Sequence, residues 1–126
     1  MSNARINNYI KNSDFTTVMQ RGRHVVNLTI PAGNYGFVTP IQTDFAVSEE
    51  AHLENVVIES SLYAGEKYPT NYAVLDLLEY YIYLAVYQVA IGQYRFSAIV
   101  VCPGGSATLS ASTATATINL AVSPFV

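Results

Sequence analysis

The last third of the chain carries almost no charge. Of fifteen Asp, Glu, Lys and Arg residues, fourteen precede Tyr80, and Arg95 stands alone among the forty-seven residues of 80–126. A surface in water ordinarily mixes both signs of charge, so this region is either solvated by hydroxyls or covered, most simply by further copies of the same chain. Tryptophan is absent and cysteine occurs once, at Cys102. A lone cysteine excludes an intrachain disulfide, which leaves packing as the source of stability. The six basic residues are scattered, with only Arg21 and Arg23 close together, and the net charge is −3. That excludes the clustered cationic surface by which a protein neutralises nucleic-acid phosphates. The most apolar run, residues 80–91, is too short for a membrane helix, which needs about 20 apolar residues. Residues 1–17 are polar and lack the apolar stretch of a signal peptide, which predicts a chain not exported by that route and without a membrane partner.

Catalytic signatures are missing as well. There is no Gly-x-Ser-x-Gly context for a nucleophilic serine. Neither Gly33-Asn34-Tyr35-Gly36 nor Pro103-Gly104-Gly105-Ser106 has the spacing or the following lysine of a phosphate loop, so both read as turns. The expectation is a protein that is not an enzyme and uses no cofactor.

What the chain does contain is strand-forming material. Half of it is hydrophobic (51%), with ten Tyr and five Phe, and branched and aromatic side chains suit a pleated, half-buried surface. One core is enough for 126 residues. Residues 1–14 read as a polar arm and residues 15–126 as a single β-sandwich domain. Strands are predicted over 15–20, over 24–30, where Val26, Leu28 and Ile30 alternate with Val25, Asn27 and Thr29, and over 41–47, with Ile41, Thr43, Phe45 and Val47 on one face. Residues 48–54 read as a loop or helical turn and 55–63 as a further strand. The segment 72–79 is the single candidate for a short helix, although Val74, Leu75, Leu77 and Leu78 also suit a strand end. A final strand carries Thr113, Thr115 and Thr117, then Ile118, Leu120 and Val122. The predicted fold class is all-β, an antiparallel, jelly-roll-like two-layer sandwich of about 7–9 strands.

Gly92-Gln93 supplies a two-residue hairpin turn with Gly first, as a primed turn wants. Taking those residues as the loop pairs Ile91 with Tyr94, Val89 with Phe96, Tyr87 with Ala98 and Tyr83 with Cys102. One face of the hairpin then holds these side chains, and the other holds Ile82, Leu84, Val86, Ile99 and Val101. Both faces are apolar, so one is assigned to the core and the other to a contact between subunits. Tyr81, Tyr83, Tyr87, Val89 and Phe96 are the predicted interface residues, and Arg95 is placed beside the turn in solvent.

Other candidates are weighed against plainer readings. In an extended backbone Glu50, His52 and Glu54 fall on one side as a cation site, against the commoner solvated loop. His24 reads as a solvent-facing or hydrogen-bonded side chain, and Cys102 as a small core residue. Asn27-Leu28-Thr29 matches a glycosylation sequon, silent in the absence of export. Exposed tyrosines can also stack on sugar rings, which keeps a surface glycan as an alternative partner; buried tyrosine at a subunit contact is the commoner case.

Asn3-Ala4-Arg5-Ile6, Asp14-Phe15-Thr16-Thr17-Val18, Leu28-Thr29-Ile30-Pro31-Ala32-Gly33 and the Thr-rich strand running to Ser123-Pro124-Phe125 together resemble small β-sandwich proteins of bacteriophage virions and prophage regions, of the tail, fibre or capsid-appendage kind. The resemblance implies a non-enzymatic structural homo-oligomer, often a trimer, whose partners are itself and other virion proteins. The location it implies is the virion, or the cytoplasm before assembly. It transfers no functional residue.

Overall fold

Valine, leucine and isoleucine at every second position build the first long strand: Val26, Leu28 and Ile30 are buried while Val25, Asn27 and Thr29 face out. A period of two is what a strand with one buried face requires. The computed structural model describes residues 18–19, 22–49 and 51–122 and contains eleven strands among them. These are β1 (Val18–Met19), β2 (Gly22–Ile30), β3 (Gly33–Tyr35), β4 (Val38–Val47), β5 (Ala51–Ser60), β6 (Lys67–Tyr68), β7 (Tyr72–Asp76), β8 (Tyr81–Ala90), β9 (Gln93–Val101), β10 (Ala107–Leu109) and β11 (Ser112–Val122). A single 3-10 turn, Ser61–Tyr63, is the one helical element among the described residues, started by Ser60 accepting from the Leu62 amide.

The strands form a five-stranded sheet in the order β1-β4-β9-β8-β7, a four-stranded sheet β2-β11-β5-β6 and the small pair β10-β3. Apart from the parallel pairing of β1 with β4, every pairing is antiparallel. The two larger sheets stack face to face, and one core joins them. Leu28, Ile30, Ile58 and Ile118 come from the four-stranded sheet; Phe45, Leu75, Ile82, Leu84, Phe96 and Val100 come from the five-stranded one. Alanines 114 and 116 on β11 lie between β2 and β5 with no exposure, and their small size allows the larger side chains of the facing sheet to approach. The all-β sandwich expected from composition is the observed architecture.

Several local expectations are corrected. Residues 72–76 form edge strand β7, with Ala73 and Leu75 buried and Tyr72, Val74 and Asp76 exposed, so the period is two and not helical. The acidic stretch expected as a loop already belongs to β5 from Ala51 onward, reached by a turn in which the Ala51 amide donates to the Ser48 carbonyl at 2.9 Å. The predicted first strand is described only at Val18–Met19, and residues 1–17, including the predicted arm, lie outside the described residues.

The largest correction concerns the hairpin. The loop is Ile91-Gly92, flanked by the pair Ala90 and Gln93, and the register shifts again between Gln88 and Ala90, so that Val89 is an extra residue. Only Gly92 in this loop has positive φ (73°), at the second central position, so the turn is not one of the primed hairpin forms. Such a turn matches the twist of paired strands less well than a primed one, and the bulge at Val89 sits directly beside it. Moving the loop by one residue preserves which side chains share a face. The bulge reverses it. Phe96, Ala98 and Val100 therefore pair with Val86, Leu84 and Ile82 in the core, while Ile99 and Val101 turn outward. Placing Ala at position 92 is expected to cost about 1–2 kcal/mol, the penalty for an L side chain in left-handed backbone, read as a lowered urea midpoint.

Burial also sets an alkaline limit. Tyr94, Tyr80 and Tyr35 are shielded from water, which raises each phenol above its ordinary value, and Tyr35 further donates its hydroxyl to the Pro31 carbonyl at 2.6 Å. Unfolded tyrosines ionise near a pKa of about 10, earlier than these folded ones, so the unfolded state is favoured as pH climbs past that value. Stability is expected to stay level below pH 10 with respect to these groups and to fall as pH rises through their folded values, visible as a declining urea midpoint.

Candidate functional site

The two outer faces of the sandwich differ in kind. On the four-stranded sheet, Thr113, Thr115, Thr117 and Asn119 of β11 face outward beside Thr29, Asn27, Val25 and Arg23 of β2. Their polar groups find partners across the strands: Thr115 Oγ1 donates to Asn27 Oδ1 at 2.9 Å and Asn119 Nδ2 to Asn55 Oδ1 at 2.6 Å. Hydroxyls and amides, with Arg23, Glu59 and Lys67 in the same rows, hydrate this surface.

The five-stranded sheet presents the opposite. Its register sets outward side chains in four cross-strand rows: Val38, Val101, Tyr81 and Asp76; Pro40, Ile99, Tyr83 and Val74; Gln42, Ser97, Ala85 and Tyr72; and Asp44, Arg95 and Tyr87. The first two rows hold one charged group between them, at a corner. Val38 is 54% exposed, Tyr72 53%, Tyr87 41% and Val74 39%. Four strands and four rows, at ordinary strand spacing and pleat, span on the order of 500 Å². The two apolar rows make up about half of that area, a few hundred Å² and within the range of the largest apolar patch on a typical monomer. Val89 and Ile91, both exposed at the turn, extend the apolar surface beyond the ladder.

Opposite charges at the centre of the fourth row neutralise each other within the chain. Arg95 sits opposite Asp44, giving a bidentate ion pair with Nε to Oδ1 at 2.8 Å and Nη2 to Oδ2 at 3.2 Å. The Asp44 carboxylate first, and the Tyr87 hydroxyl second, hold the guanidinium above its ordinary pKa. Arg95 is thus partnered across the sheet rather than free beside the turn, a correction of the sequence reading. It leaves the face with no cationic group in need of an outside partner.

Of the predicted interface residues, Tyr81, Tyr83 and Tyr87 are brought together on this face, and Val89 is exposed at the bulge. Phe96 is not among them: it is fully buried in the chain's own core because the bulge reverses its strand. The sequence reading missed Tyr72, Val74, Val38 and Pro40, which reach the face from β7 and β4, and placed Ile99 and Val101 on the wrong side. Alternation in 38–47 signals the β4 residues; nothing local signals which strands neighbour β8 and β9.

The cation-site reading weakens. Glu50 lies outside the described residues, His52 and Glu54 are exposed, and the register of β5 against β11 shifts opposite Asn119 and Leu120, making Glu54 the extra residue. Strict alternation of the acids with His52 is broken there. Among the described residues no three His, Cys, Asp or Glu side chains gather where they could hold a metal ion. Cys102 is a buried free thiol.

Surface clefts are found among the described residues, three of them as follows. One of about 450 Å³ at an end of the sandwich is lined by Asp76, Leu78, Glu79, Tyr81, Pro103 and Ser106. A second, about 360 Å³, lies between Leu53, Asn55, Pro69 and Asn71. A third, about 420 Å³ and mostly apolar, is bounded by Pro31, Tyr35, Thr39 and Ile41. No histidine lines any of the three. No helix among the described residues is long and apolar enough to cross a membrane. Comparison with protein-family models, with characterised proteins and with solved structures gave no match to this chain.

Proposed function

We propose that the protein is a structural, non-enzymatic component that assembles through the outer face of its five-stranded sheet into a closed symmetric homo-oligomer. A virion or appendage part, trimeric as the resemblance to phage proteins implies, is the form this takes. The single observation supporting it is the continuous apolar face running from Val38 to Val74 through Ile99 and Tyr83, on a sandwich whose other face is polar. A second copy suits this face because its Arg95–Asp44 pair is satisfied internally and its remaining charge, Asp76, lies at a corner of the rows. Burying about 800 Å² per subunit, the usual size of a stable contact, would take in the rows together with Val89 and Ile91. Closure is required because an open-ended contact would propagate into fibres.

Light scattering on the purified chain tests this. A single mass corresponding to a small whole number of subunits at micromolar concentration is expected, and a monodisperse monomer refutes the proposal. A second reading, recognition of a glycan, is favoured by the exposure of Tyr72, Tyr83 and Tyr87 on one flat face. A glycan array run with and without calcium separates the two, since binding lost on tyrosine substitution with the mass unchanged indicates recognition.

A further inference from the structure

The five-stranded sheet ends on β7, and side chains close that edge. The Val86 amide donates to the Asn71 carbonyl and the Leu77 amide to the Tyr80 carbonyl, each at 2.9 Å, so the odd-numbered residues of this segment bond to β8. Alternation turns the backbone groups of Tyr72, Val74 and Asp76 to the other side, where no strand pairs with them among the described residues. Proline or lysine commonly guards such an edge against pairing with another chain. β7, Tyr72-Ala73-Val74-Leu75-Asp76, has neither.

Hydroxyls take that place. Thr70 Oγ1 donates to the Tyr72 carbonyl and accepts from the Tyr72 amide at 3.4 Å. Tyr63 Oη donates to the Asp76 carbonyl at 2.5 Å. An oxygen at hydrogen-bond distance from a strand's carbonyl occupies the position that the amide nitrogen of a neighbouring strand would take. Both hydroxyls belong to the connection between the two sheets. Its 3-10 turn, Ser61–Tyr63, carries the first; β6 then bonds to β5, and Thr70 follows with its amide donating to the Tyr68 carbonyl at 2.8 Å. The path therefore sets Thr70 at the start of β7 and Tyr63 at its end, with Val74 between them.

A second copy is the partner this edge would otherwise fit. β7 laid antiparallel to another β7 about Val74 brings Tyr72 opposite Asp76 at both ends, and each edge-facing backbone group then meets its counterpart. With the hydroxyls in place only the two central valines would find their bonds. We propose that Tyr63 and Thr70 withhold the β7 edge from strand pairing with a second copy of the chain. This rests on the edge alone, independently of the assembly face.

Thr70→Ala combined with Tyr63→Leu opens the edge and tests this. Light scattering on the full chain at micromolar concentration is expected to give at least about twofold more mass than the unmodified chain, because an antiparallel contact of a strand with itself is two-fold symmetric and joins particles in pairs. The comparison holds whether the unmodified chain is one subunit or several. Adding Val74→Pro to the opened chain removes an amide that faces away from β8 and breaks no bond within the sheet. Its mass is expected to return to that of a Val74→Pro chain that keeps both hydroxyls. Equal masses for the opened and unmodified chains overturn the proposal. A gain in mass that Val74→Pro leaves in place overturns it too, by assigning the new contact to another surface or to unfolded chain.

Discussion

Replacing Phe96 with alanine is expected to cost about 3–5 kcal/mol of stability, the range for truncating a fully buried phenylalanine and a large fraction of the marginal total that a domain of this size holds. Phe96 has no exposure and lies between Val86 and Thr43 in the sheet, facing the opposite layer. Its neighbour Tyr94 already stacks on Phe45 with ring centroids 5.8 Å apart, so the surrounding side chains are engaged and the vacated volume cannot close easily. Urea denaturation measures the effect. A loss under about 1 kcal/mol would place Phe96 on a surface, as the hairpin register with Gly92-Gln93 in the loop requires, and would refute the bulge at Val89. The conservative Phe96→Leu should recover more than half of the loss.

The second large effect is on assembly. Tyr83→Ser combined with Tyr87→Ser is expected to convert the oligomer into monomers at micromolar concentration. Aromatic residues at the centre of a contact commonly contribute about 2 kcal/mol or more each; two of them weaken association by on the order of 10³-fold. Both side chains are exposed in the single chain, so the stability of the isolated fold should change by no more than about 1 kcal/mol. Light scattering and denaturation on the same sample separate the two quantities. Thr117→Ser, on the polar sheet, is the control and should leave the mass unaltered. Unchanged mass in the tyrosine variant would move the contact to another surface.

The sandwich itself was legible in the sequence because alternation needs no knowledge of neighbours: Val26, Leu28 and Ile30, or Phe45 and Val47, announce a buried face within their own strand. Tyr83 and Tyr87 were legible as outward residues for the same reason. Phe96, Ile99 and Val101 were not. Their side depends on the count of residues around the turn, and β8 and β9 are apolar on both faces, so the hydrophobic pattern does not choose between registers that differ by one. Tyr72 and Val74 were lost to a different ambiguity, a short apolar run that suits a helix turn and an edge strand equally. Arg95 was misjudged because its partner, Asp44, is fifty-one positions away in the chain and becomes adjacent only when β4 pairs with β9.

The extra residue at Val89 sits between two matched stretches of ladder, Ala90 with Gln93 on the turn side and Gln88 with Tyr94 on the other. A chain lacking it closes into a regular hairpin in which Phe96 still meets Val86 and Ala98 still meets Leu84, so a deletion at this point is absorbed beside the turn and the core keeps its partners. A residue gained or lost farther along β9, between Phe96 and Val100, has no such slack and exchanges interior for exterior on one side of the change. Tolerance to changes of length in this hairpin is therefore confined to its tip.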